Sequence, residues 1–85
     1  MVIPMRVAVV GGDGRFRPEI PGATEIRLFK SPGDGGNGEF RRLEAALKAG
    51  GLEQVLILTR WNSHSVTRRL RRICRLLRIP VRLVP

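Results

Sequence analysis

The sequence predicts a small α/β domain: a four-stranded parallel sheet in the order 2-1-3-4, Rossmann-like or flavodoxin-like, with two main helices on one face. Three observations lead there. The runs V-A-V-V (Val7 to Val10) and V-L-I-L (Val55 to Leu58) are apolar at every position, as in strands buried on both faces. Strand-like and helix-like segments alternate, which implies parallel pairing through right-handed crossovers. The two remaining strand segments carry Arg27 and Arg82 and therefore belong at the edges.

Arg6 to Val10 reads as a buried strand that runs into the tight loop Gly11-Gly12-Asp13-Gly14. Pro18 and Pro21 leave no room for more than one helical turn between Phe16 and Gly22. Glu25 to Phe29 alternates, with Ile26 and Leu28 expected on the buried side and Arg27 on the other. Ser31 to Gly38 is a loop from which Asn37 or Asp34 can cap the first helix, and Glu39 suits its positive end. That helix runs to about Ala49, with Phe40, Leu43 and Leu47 at helical spacing, and Gly50-Gly51 stops it. Asn62 or Ser63 starts the last helix, Pro80 ends it, and Val81 to Val84 forms the final strand.

At about 100° per residue, Val66, Leu70, Ile73 and Leu77 share one narrow face of the last helix, with Cys74 at its border. In this topology both helices cover the same side of the sheet. The other side must be covered by the segment from Gly11 to Gly22, through Phe16 and Ile20 in part. A second subunit is expected to cover the rest, making a homodimer through the face that lacks helices.

Eighty-five residues suit one domain, which buries roughly 60–65% of its unfolded surface. No apolar run approaches the length of a membrane span, and Met1 to Pro4 does not begin a secretory signal. The single cysteine, Cys74, cannot form an internal disulfide, so a reducing, cytoplasmic setting is expected. His64 and Cys74 stand ten residues apart on one helix, about 15 Å by helical rise, so one chain cannot bring both to a metal ion. No cofactor has a supporting signature, and no Ser-His-acid triad is apparent.

Charge is the most informative feature for function. Residues 1–53 carry eight basic and seven acidic side chains, whereas residues 54–85 carry eight arginines and no acid. Arg68, Arg69, Arg71, Arg72, Arg75 and Arg78 spread over the outer arc of the last helix. Such a surface attracts a counter-charge from solution ions, an acidic protein or nucleic acid. Arginine-rich usage also arises without any ligand, although a general bias does not clear acids from one end of a chain.

Open parallel sheets bind ligands at the carboxyl ends of strands, where crossovers depart in opposite directions. That point falls between the first and third strands. Gly11, Gly12, Asp13, Gly14 and Arg15 meet Thr59, Arg60, Trp61, Asn62, Ser63 and His64 there. Glycines let backbone N–H groups approach an anion, Arg15 and Arg60 can grip a phosphate, and Thr59, Asn62 and Ser63 can fix its oxygens. Trp61 can stack a base, and His64 can bond a ligand or transfer a proton. The same residues have structural readings: a Gly-Gly-Asp-Gly turn, helix caps at Asn62 and Ser63, and a Trp61 that roofs the sheet.

Gly11-Gly12, Gly35-Gly36, Leu43, Thr59, Ser63-His64, Arg71-Arg72, Cys74 and Pro80 form a pattern that covers most of the chain from Arg6 onward. It resembles an uncharacterised family of small bacterial α/β domains. The resemblance implies the fold and the position of a site, and no activity. Pro18 and Pro21 replace a helix usual in that family, and Trp61 is not typical of it. The function expected is therefore a non-catalytic module that binds a phosphate-bearing ligand, nucleic acid first. The alternatives are a nucleotide- or phosphometabolite-binding protein with weak enzyme activity through His64, and an adaptor whose arginine face docks on an acidic protein.

Overall fold

The structure, a computed structural model, describes residues 4–11, 19–30 and 38–85, without the side chains of Glu39 and Trp61. The elements are β1 (Arg6–Val10), β2 (Glu25–Phe29), α1 (Glu39–Lys48), β3 (Gln54–Leu58), a 3-10 turn (Thr59–Trp61), α2 (His64–Leu77) and β4 (Val81–Val84). All pairings are parallel, and the sheet order is β2-β1-β3-β4, as the sequence predicts.

β1 and β3 are central because nearly every side chain on them is apolar. Ala8, Val10, Val55 and Ile57 point to one side and are fully buried there. Leu43 and Leu47 from α1, and Leu70 and Cys74 from α2, close over them, so both helices lie on that side. Each such leucine contributes roughly 1.5–3 kcal/mol by leaving water. On α2 the buried centre is Leu70 and Cys74, while Leu77 is 38% exposed. The predicted stripe is thus rotated toward Cys74.

On the other side Val7, Val9, Leu56 and Leu58 are at most 5% exposed within a single chain, with Ile20, Ala23, Leu28 and Val84 packed against them. A second subunit was expected because these side chains looked bare; the chain covers them itself. Phe16 lies outside the described residues. The sequence reading of β2 also needs correction: Ile26 is 37% exposed, and Phe29, on the helix side, is the buried anchor at 2%. Phe29 ends the strand where α1 arrives, which Ile26 does not, and the Arg27 guanidinium lies over its ring at 5.5 Å.

The amino ends of β1 and β3 are joined by Glu53. Its backbone N–H donates to the Arg6 carbonyl at 2.8 Å, and its carboxylate receives the Arg6 backbone N–H and guanidinium, the closest ion-pair approach being 2.6 Å. These bonds hold the Glu53 carboxyl below its ordinary 4.5, first through the Arg6 side chain. A depressed carboxyl stabilises the fold above its unfolded pKa, and that contribution disappears as pH falls through the folded value. Acid titration of unfolding is expected to show stability declining below about pH 4.5. Glu53→Gln is expected to flatten that decline and to leave the basic side of the profile unchanged.

α1 starts at Gly38, in the left-handed region at φ 82, with no side-chain cap. Asn37 and Asp34, the expected caps, lie outside the described residues. α1 ends where Gly50 takes φ 77, with its N–H bonded to Leu47. α2 ends in the same kind of reversal: the Arg78 N–H bonds the Arg75 carbonyl, and the Ile79 N–H bonds that of Cys74 at 2.8 Å. Here the left-handed position, at φ 58, is held by arginine. Arg78→Gly is therefore expected to raise stability by about 0.5–1 kcal/mol, read as a higher denaturation midpoint at unchanged slope.

Candidate functional site

In a parallel sheet each helix runs back against the strands, so α1 and α2 both begin at the carboxyl edge. Gly11, the first residue past β1, is buried at φ 130, a conformation that favours glycine, and its N–H bonds the Phe29 carbonyl at 2.9 Å. Gly12, Asp13, Gly14 and Arg15 lie outside the described residues, as does the Trp61 side chain.

The segment after β3 does something different from what its composition suggests. Asn62 Nδ2 donates to the Val10 carbonyl at 3.0 Å and to the Leu58 carbonyl at 2.8 Å. These are the last carbonyls of β1 and β3, and one NH₂ group with two hydrogens bridges them. Because both partners are acceptors, the amide has only one orientation. Its Oδ1 is buried and has no hydrogen-bond partner among the described residues. Thr59 Oγ1 donates to the Val84 carbonyl at 3.3 Å and so ties β3 to β4. Both residues were expected to hold a ligand; instead Asn62 closes the ladder at the switch point and Thr59 secures the neighbouring β3–β4 pair.

Ser63 is the cap. Its Oγ accepts from the Val66 N–H at 3.2 Å and lies 3.1 Å from Ser65 Oγ. Such a cap stabilises a helix by about 1 kcal/mol. His64 and Arg60 are exposed. His64 has no hydrogen-bond partner among the described residues, and no group of three or more His, Cys, Asp or Glu side chains there can hold a metal.

Cys74 is fully buried under α2, and burial pushes its thiol up to about 11. A thiolate is the reactive form, so Cys74 is expected to resist Ellman-type reagents in the native protein and to react stoichiometrically once urea unfolds it. Rapid native-state labelling would contradict this packing.

The arginines of α2 are where the sequence places them. Arg68, Arg69, Arg71, Arg72, Arg75 and Arg78 are all exposed, and none forms a close ion pair with a described carboxylate, although the Glu44 carboxyl is lowered first by Lys48 and then by nearby Arg69. Arg68, Arg72 and Arg75 line a shallow trough with Ser65, and Leu76, 75% exposed, stands on the same outer arc. Sequence reasoning missed the contribution of α1. A groove of about 830 Å³ lies between the helices, lined by Phe40, Arg41, Glu44, Lys48 and Arg69. Arg69 belongs to both depressions, and its guanidinium lies 4.5 Å from the centre of the Phe40 ring. Glu44 holds Lys48 at 2.9 Å. Arg41 and Lys48 are seven residues apart, on the α1 face away from Leu43 and Leu47. That spacing was the available signal.

Fold and surface together define a small α/β domain whose helical side is strongly basic. Compared with protein-family models, curated proteins and solved structures, the chain matches none. No helix among the described residues is long and apolar enough to cross a membrane.

Proposed function

We propose that the protein is a non-catalytic module that binds nucleic acid through its phosphate backbone. The observation that supports this most directly is the array of six exposed arginines on α2, none in a close ion pair with a described carboxylate. Guanidinium groups match phosphate oxygens bidentately, and neutralising several phosphates at once releases condensed counterions. Arg41 at the inter-helix groove widens the basic surface beyond one helix. Leu70 and Cys74 anchor α2 to the sheet, so its arginines project from a packed helix.

A strand-end pocket for a nucleotide or phosphometabolite has less support, since the side chains of Asn62 and Thr59 are already bonded to strand carbonyls. His64 and Arg60 remain available to touch an end of a bound strand. The reading includes a reducing cytoplasm, which suits a buried free thiol, and kinship with the small bacterial α/β domains that carry a basic, Cys-containing helix. It works with a monomer, and a homodimer is no longer required to cover the second sheet face.

Fluorescence-anisotropy titrations with DNA and RNA, single- and double-stranded, at two salt concentrations test the proposal. Affinity is expected to fall steeply with salt for every polymer bound. Salt-independent binding, or no binding at low salt, would refute it.

A further inference from the structure

We propose that the free edge of β4 accepts an extended acidic peptide as an additional strand. The inference does not require nucleic-acid binding, although Arg71 and Arg75 belong to both surfaces, and it begins with the ladder. Val55 donates its N–H to the Pro80 carbonyl at 3.0 Å, and Val55 is in register with Val81. In a parallel pair this directs the N–H and C=O of Arg82 toward β3 and those of Val81 and Leu83 away from it. Among the described residues β4 pairs only with β3, so Val81 and Leu83 present an unpaired template.

What flanks that template selects its occupant. On the helix side, Leu83, 43% exposed, lies in a groove with Val81, Ile79, Arg71 and Arg75. On the other side, Arg82 borders a groove walled by Ile20, Pro21, Val84 and the carboxylate Glu19, with Leu56 and Leu58 nearly buried at its floor, so apolar groups rather than acids suit that side. Side chains alternate along a strand, so a peptide of alternating acidic and apolar residues matches both sides: acids meet Arg71 and Arg75, and apolar groups meet Val84. A second copy of this chain would bring Arg71, Arg75 and Arg82 against their equivalents. The charge that bars self-pairing is the charge that admits an acidic strand. Pro80 and Pro85 bracket the strand and confine the template to its two outward residues.

The probe is a capped, fluorescein-labelled peptide of alternating glutamate and valine, titrated into the full chain, with a lysine–valine peptide as control. Binding of the acidic peptide alone is expected, with slowed hydrogen exchange at the Val81 and Leu83 amides. Leu83→Pro removes an outward-facing N–H and the leucine side chain but no bond to β3, so the fold is expected to persist while affinity falls about tenfold or more below that of a Leu83→Ala control, which keeps the N–H. Affinity in a folded Leu83→Pro variant equal to that of the Leu83→Ala control would reduce the effect to charge attraction and overturn the proposal. So would binding without protection of those two amides in the unaltered protein, or their protection in a dimer formed without peptide.

Discussion

Replacing Asn62 with aspartate is expected to destabilise the protein by roughly 3 kcal/mol or more at neutral pH, and replacing it with alanine by about 1–3 kcal/mol. The order of the two follows from what the amide does. Its NH₂ group donates to the Val10 and Leu58 carbonyls, the last rung between the central strands. Alanine removes the donor that the two partly buried carbonyls share, and no ladder bond among the described residues reaches the Leu58 carbonyl. An ionised aspartate leaves them facing a negative charge in addition. The variant carboxyl can donate only when protonated, so the fold raises its pKa above the unfolded value. Its contribution is then fullest below the unfolded pKa and is lost as pH rises through the folded one. Wild type is expected to show the opposite slope over the acidic range, because the Arg6 side chain lowers the Glu53 carboxyl. Urea unfolding of both variants at several pH values checks the order and the sign. An Asn62→Asp protein as stable as wild type at pH 7 would remove the bridge from the account of this fold.

The parts of the fold that could be read from sequence rest on local pattern. V-A-V-V and V-L-I-L announce buried central strands without any knowledge of partners, and Arg27 and Arg82 mark the edges. Helix ends were legible where the signal is a residue type at a fixed position: Ser63 before α2, Gly50 after α1, Pro80 after Ile79. Long-range pairings were not legible. Arg6 and Glu53 are 47 positions apart, and nothing in either neighbourhood specifies the other. Asn62 was ambiguous for a deeper reason. Asparagine after an apolar strand is equally suited to capping a helix, binding a ligand and bridging carbonyls, and only the distance to Val10, 52 positions away, decides among them. On the second sheet face Ile20 was legible as part of the cover, whereas the share of Ala23 was not, because it sits in a proline- and glycine-flanked stretch without periodicity.

Reversing two charges on α2, Arg68→Glu with Arg72→Glu, is expected to weaken nucleic-acid binding about a hundredfold or more at low salt. With Leu70 taken as the inward direction, these residues project at about 160° and 200° around the helix, farthest from the core. Both are exposed and neither pairs with a described carboxylate, so circular dichroism and the unfolding midpoint are expected to stay close to wild type. The salt slope carries the sharper information. Each phosphate neutralised adds about 0.9 to the slope of log affinity against log salt for a duplex. Losing two contacts is expected to flatten the slope by about 2, beyond any loss of affinity. Arg41→Glu, beside the inter-helix groove, extends the test to α1: a smaller loss with a slope change near 1 places the nucleic acid across both helices. If reversal at Arg68 and Arg72 lowers affinity while the slope stays that of wild type, the arginines act through a distant field without touching phosphate. The backbone-gripping helix would then have to be abandoned.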